Sequence, residues 1–195
     1  MELQNRDIDE LLTLLGSWTL LSSKFKKALH LHMEPQKATP KRELDILSRD
    51  TGYAWFSIDC WVAEYQVLFS GKEEVYAIYG PKQIFTDINS FLKASASNHR
   101  FLVISGSRLL AIERHNFSHL RSFRETGVLL EHYLLQQREK DNWRLELMSY
   151  PDHGKVEFFA TKYPINGLPN KISASFLRMT PSRFSAERSK YNRSH

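Results

Sequence analysis

Cysteine is nearly absent. Cys60 stands alone in 195 residues, which excludes an intramolecular disulfide and any cysteine-ligated cluster or zinc site needing about four ligands. Also missing is any run near the roughly 18 to 20 apolar residues that a membrane span takes. The opening MELQNRDIDELL lacks the basic-then-apolar order of an export signal, so the cytoplasm is the expected location and no membrane is an expected partner. There is no glycine-rich phosphate loop, no nucleophile elbow, no internal repeat and no low-complexity tract. A Ser/His/Asp triad could be drawn on paper from any chain of this composition, so none is assigned, and no enzyme, cofactor or metal is expected. His30-Leu31-His32 with Glu34 has the HxH…E look of a cupin metal site. The stretch reads helical, however, and the glycines that frame that motif are missing. His115 and His119 are spaced to share a helix face, but no third ligand is evident.

Acids are scarce in one place. Residues 168–195 hold Lys171, Arg178, Arg183, Arg188, Lys190 and Arg193 against Glu187 alone, so the whole +5 net charge sits there and the other 167 residues are balanced at 21 basic and 21 acidic. Positive charge concentrated in one segment suits a polyanion such as DNA, although a solvated basic tail would look the same.

With hydrophobic residues at 42%, the chain can bury a core. Residues 6–33 read as helical on Leu11, Leu14, Leu15 and Trp18, with Phe25, Ala28 and Leu29 following a break at Ser22-Ser23, and Pro35 and Pro40 end the pattern. From Gly52 the period changes to two: Phe56, Ile58, Cys60 and Val62 alternate with Trp55, Ser57, Asp59 and Trp61. An extended pattern then continues through Tyr65, Val67 and Phe69 to a turn at Gly71. Val75–Tyr79 reads as a strand stopped by Gly80-Pro81, and Arg100–Ile104 with Arg108–Glu113 reads as a hairpin about Gly106. Short aromatic and β-branched strands with regular turns predict a sandwich or roll.

Helical signals return after Asn116. Leu120, Phe123, Gly127, Leu130 and Leu134 fall on one face of a long helix over about 118–148, readable either as a dimer seam or as a helix packed on its own sheet. In 151–195, Val156, Phe159, Ala160 and Tyr163 mark a helix closed by Pro164, Gly167 and Pro169. A second runs from Asn170 to Leu177, and a third opens at Thr180-Pro181, an N-cap followed by proline at the first helical position. Two short helices joined by a tight turn, the second of them basic, are what a helix-turn-helix requires.

The segment KYPINGLPNKISASFLRMTPSRFSAERSK resembles the helix-turn-helix of Crp/Fnr-type regulators, in the compact form common in Bacteroidetes. It matches at Tyr163, Pro164, Pro169, Ala174, Ser175, Phe176, Leu177, Thr180, Pro181, Ser185 and Arg188. AWFSIDCWVAEY and IFTDINSFLKASASNHRFLVISGSRLLAIE are similar in pattern to the roll strands of those proteins, so the resemblance spans nearly the whole chain. It implies an α+β fold: a cyclic-nucleotide-binding-like β-roll with N-terminal helices over 1–117, a long dimerisation helix over 118–150 and a helix-turn-helix over 151–195. Its implied partners are double-stranded DNA, a second copy of the chain and a small-molecule effector. Lys171, Thr180, Ser182, Arg183, Ala186, Arg188 and Lys190 would face DNA, and an effector pocket would lie near Asp87, Phe91, Ser97, Asn98 and Arg100.

Departures from the family pattern carry weight. Thr86-Asp87 stands where the family has the Gly-Glu pair for the ribose, and Ser97-Asn98 near the Arg-Ser pair for the cyclic phosphate. A phosphate buried without its cation is costly, so cyclic AMP is not expected. Ser182 and Ala186 stand where the family reads bases with Glu and Arg. Glu187 takes a normally apolar place, and Arg178 replaces the turn glycine at a cost of about 1 kcal/mol if left-handed. The alternative reading is a degenerate sensor or interaction protein that keeps this fold without reading a specific operator.

Overall fold

The computed structural model describes residues 2–44, 52–95 and 99–194. It opens with two helices, α1 (Glu2–Trp18) and α2 (Ser23–His32). The break between them is chemical: Ser22 caps α2, its hydroxyl accepting from Phe25 N at 3.2 Å. Seven strands follow: β1 (Glu34–Lys37), β2 (Tyr53–Ser57), β3 (Trp61–Val67), β4 (Glu73–Tyr79), β5 (Ile84–Thr86), β6 (His99–Ser105) and β7 (Arg108–Glu113). The short α3 (Ile88–Lys93) lies between β5 and β6. The strands form one sheet of order β1-β7-β2-β5, its pairs antiparallel, and a second of order β4-β3-β6. The chain then runs through α4 (Arg114–Leu120), α5 (Arg124–Ser149), α6 (Asp152–Ala160), α7 (Asn170–Phe176) and α8 (Pro181–Ser194). This is a double-stranded β-roll with flanking helices, a long helix and a C-terminal set of three helices.

Contacts divide the chain into two units, 1–64 with 78–134 and 65–77 with 135–195. The first unit has two apolar layers because β7 and β2, the inner strands of its first sheet, are buried on both faces. Trp55 meets Phe85 at 5.5 Å and Phe101 at 5.2 Å between ring centroids, so rings from both sheets fill the roll. Its neighbour Phe56 points the other way and joins Ile8, Leu11, Phe25, Leu29 and Leu120 beneath the helices.

Four sequence expectations need correction. The alternation from Phe56 to Val62 is not one strand: Ser57 turns the chain, its hydroxyl donating to Cys60 O at 2.6 Å and accepting from Cys60 N at 3.0 Å, and β2 and β3 go to different sheets. Likewise β6 and β7 do not pair as a hairpin. Gly106 between them has φ 86°, and a Cβ there would come within 2.4 Å of Asp59 O, so the connection is a tight crossing that only glycine fits. The long helix is broken at residues 121–123, where Thr126 Oγ1 donates to Leu120 O at 2.5 Å. Leu120 and Phe123 therefore belong to the first unit's core and not to an outward seam; Phe123 meets Phe25 at 5.7 Å. Finally, β1 forms across Pro35, where proline was expected only to interrupt. It pairs with β7 alone and so occupies the edge of its sheet, where a missing N–H is tolerated.

Candidate nucleic-acid interface

In the second unit, α6, α7 and α8 close over Val156, Phe159, Ile172, Ala174, Phe176, Leu177 and Phe184, all buried. The α7–α8 turn is a Schellman stop: Met179 N donates to Ala174 O at 2.9 Å and Arg178 N to Ser175 O at 3.1 Å. That geometry demands a left-handed residue, and Arg178 supplies it with φ 55°. Thr180 then starts α8, its hydroxyl accepting from Arg183 N at 3.3 Å, with Pro181 at the first helical position. Asn170 Nδ2 donates to Pro181 O at 2.9 Å and ties the start of α7 to that cap.

The faces of α8 separate. Phe184 and Glu187 turn inward, while Ser182, Arg183, Ala186, Ser189, Lys190 and Arg193 are exposed. Of the expected DNA-facing residues, Ser182, Arg183, Ala186 and Lys190 thus share the outer side of one helix. Lys171 is exposed on α7, and Thr180 is exposed while capping. Arg188 is half-buried, its guanidinium 5.6 Å from the Phe184 ring.

Two of these cations already have partners. Arg183 Nε donates to Asp152 Oδ2 at the start of α6, and Lys190 Nζ donates to Glu187 Oε1 at 2.8 Å. Glu187 also has His153 Nδ1 at 3.4 Å. Lys190's hydrogen bond, with help from His153, holds the Glu187 carboxyl below its ordinary value. Charge thus makes a normally apolar site tolerable.

A contributor that the sequence did not flag is Arg144 on α5. Its guanidinium lies 4.9 Å from the Tyr76 ring and 5.0 Å from the Phe176 ring, and it donates to the carbonyls of Val75 (3.1 Å) and Tyr76. Ser175 Oγ accepts from Val75 N at 3.0 Å, and Arg178 donates to Glu74 at 2.8 Å. The segment 65–77 is therefore clamped to the helix-turn-helix within one unit. Arg178, left-handed at the turn, also serves as a strut. Periodicity could not reveal this clamp, because its parts lie about seventy to a hundred residues apart in sequence.

The sensor-side residues fare differently. Asp87 caps α3, accepting from Asn89 N (3.0 Å) and Ser90 N (3.3 Å). Thr86 Oγ1 donates to Tyr53 O at 2.6 Å. Phe91 packs on Phe117 beneath the helices, 4.9 Å between centroids, and Arg100 pairs with Glu43. Ser97 and Asn98 lie outside the described residues.

Inside the roll, Trp55, Tyr79, Phe85 and Phe101 are each at most 3% exposed. Buried Glu64 accepts from Tyr79 Oη at 2.7 Å and contacts His99 Nδ1. Burial opposes a charge on His99, but Glu64's hydrogen bond and charge, with Asp87's, prevail and raise its pKa. Cys60 is fully buried. Burial and the neighbouring Asp59 push its thiol up to about 12, which removes it as a nucleophile near neutral pH. No group of three or more metal-ligating side chains occurs among the described residues, and no described helix is long and apolar enough to cross a membrane.

No protein-family profile and no curated protein matches the sequence. Solved structures do share its fold. A transcriptional regulator assigned to the crp/fnr family from Eubacterium rectale is similar at TM-score 0.66 and 10% identity, over 89% of this chain and 85% of that one. FixK2 from Bradyrhizobium japonicum is similar at TM-score 0.65 and 13% identity, over 83% and 85%. The c-di-GMP-responsive global regulator CLP of Xanthomonas campestris is similar at 0.61 and 12%, over 89% and 93%. The fold is that of these Crp/Fnr-type regulators.

Proposed function

From that fold we propose that the chain is a DNA-binding transcription regulator, acting as a homodimer, whose β-roll is a sensor that does not take cyclic AMP. The observation that carries the DNA reading is the helix-turn-helix itself. A capped α8 presents Ser182, Arg183, Ala186 and Lys190 on one outer side, in the segment that holds the whole net positive charge. The division of labour follows the sequence reading: residues 1–117 as sensor, 118–150 as linking and pairing segment, 151–195 as DNA-binding domain. Pairing is assigned to α5, which buries Leu129, Tyr133 and Leu147 but exposes Leu134 (45%), Leu135 (58%) and Leu145 (70%). Against cyclic AMP stands the sequence, with Thr86-Asp87 and Ser97-Asn98 where the family pattern has its Gly-Glu and Arg-Ser pairs; Thr86 is bonded to Tyr53 O and Asp87 caps α3.

One observation favours the alternative of a fold-preserving interaction protein. Arg183, the best base-reading candidate, is paired with Asp152, and Ser182 and Ala186 are small. Selection of bound sequences from random DNA separates the two readings. A regulator enriches an inverted repeat whose half-sites lie about one helical turn, roughly 34 Å, apart. A chain that enriches nothing, or whose DNA affinity survives deletion of residues 168–195, is the alternative.

A further inference from the structure

An apolar cavity lies beneath the helices that cover the first sheet, wholly within the first unit. It has a volume of about 120 Å³ and is bounded by α1, α2, α3, α4, the first part of α5 and the outward side chains of β2, β5 and β7. Leu15, Phe25, Leu29, Ile112 and Leu129 are representative of its walls, and no Asp, Glu, Lys, Arg or His lines it. Apolar cavities of similar size stay dry and accept single-ring hydrocarbons, because water gains too few hydrogen bonds inside them.

The few polar groups in the walls are mostly satisfied. Thr126 Oγ1 donates to Leu120 O and Thr86 Oγ1 to Tyr53 O. Tyr133 is the exception. Its residue is 7% exposed and no acceptor stands against its O–H; the Thr86 backbone N–H is directed at its oxygen. Burial pushes the phenol well above its ordinary pKa, so the hydroxyl stays neutral and able to donate. A buried donor without an acceptor is a standing cost that a ligand could remove.

We propose that this helix-side cavity binds a small uncharged aromatic molecule of about one ring, carrying one acceptor oxygen that the Tyr133 hydroxyl holds. The proposal goes beyond the DNA-binding reading and does not depend on it, since every wall belongs to the first unit. It also differs in kind from a nucleotide site: nothing in these walls could neutralise a phosphate, and even a carboxylate would enter without a counter-charge.

The experiment titrates the full chain with acetophenone, ethylbenzene and benzoate, three probes of one size, followed by calorimetry and by amide shifts in NMR. Acetophenone should bind saturably, ethylbenzene roughly tenfold more weakly for want of the hydrogen bond, and benzoate not at all. Tyr133→Phe should lower acetophenone affinity to the ethylbenzene level and leave ethylbenzene unchanged. Ala54→Leu, which fills the cavity from β2, should abolish both; if circular dichroism shows it misfolded, Leu29→Phe fills the cavity from α2. Benzoate binding as well as acetophenone, failure of both neutral probes to bind, indifference of acetophenone to Tyr133→Phe, or survival of binding in a folded filled variant would each overturn the assignment. DNA selection reads the other hypothesis separately, so either can fail alone.

Discussion

Glu64 and His99 show how single residues set a condition for stability. Glu64 is 3% exposed in the roll and contacts His99 and the Tyr79 hydroxyl; its hydrogen bond and charge, with Asp87 adding to the field, raise the His99 pKa against the opposing effect of burial. A histidine whose folded pKa is raised contributes stability fully below its unfolded value of about 6.5, and loses it as pH rises through the raised folded value. Unfolding free energy from urea denaturation should therefore fall from pH 6 to pH 8.5 in the native chain, and much less in His99→Gln. Equal losses in both proteins would show that the Glu64–His99 contact does not govern this window. The pair was not legible in the sequence, because Glu64 sits in an apolar strand where its position suggests only an edge charge. Arg178 was legible. The family pattern places a turn glycine there, so Arg178 was expected to carry a cost if left-handed, and φ 55° with two backbone bonds across the turn shows that it is.

At the scale of elements, the helix after the roll teaches most. Its apolar residues look like one continuous stripe, but a single side-chain bond from Thr126 to Leu120 O helps close a break that divides the stripe into two jobs. Leu120, 2% exposed, anchors the first unit, whereas Leu134 and Leu135 reach solvent on α5. Leu120→Ala should cost about 2–5 kcal/mol of unfolding free energy, the usual range for emptying a packed leucine site, and leave the sedimentation coefficient unchanged. Leu134→Glu with Leu135→Glu should do the reverse, yielding monomers with nearly native stability per chain. A wild type that is monomeric at micromolar concentration would end the pairing proposal. Periodicity failed elsewhere for a related reason. A strand buried on both faces, as β2 is with Trp55 toward the roll and Phe56 toward the helices, has no polar side to mark its register, so the turn at Ser57 left no trace in the pattern. Three-residue β5 and six-residue α3 are too short for any period to show. The C-terminal helices were readable because caps, prolines and a basic outer side coincide there.

For the whole molecule the decisive quantity is where charge lies. A chain balanced over its first 167 residues and carrying +5 in its last 28 would, on the proposed reading, meet DNA through that segment, and the proposed homodimer would present it twice. Each phosphate neutralised by Lys or Arg adds about 0.9 to the slope of log affinity against log salt. A contact made once per protomer therefore counts twice on a two-half-site duplex. Arg188, half-buried against Phe184 and held in place by that ring, suits a phosphate grip rather than base reading. Arg188→Ala should then weaken all sequences alike and reduce the slope by about 1.8, measured between about 50 and 200 mM salt. Arg183 differs, because Asp152 competes for it. Arg183→Ala should flatten preference at one base pair per half-site while changing the slope less than Arg188→Ala does. Asp152→Asn should raise affinity by releasing Arg183. If Arg188→Ala left the slope unchanged while Arg183→Ala reduced it by the full increment, the assignments would be reversed: Arg183 would be the phosphate contact, and base reading would have to come from Ser182 and Ala186 or be absent.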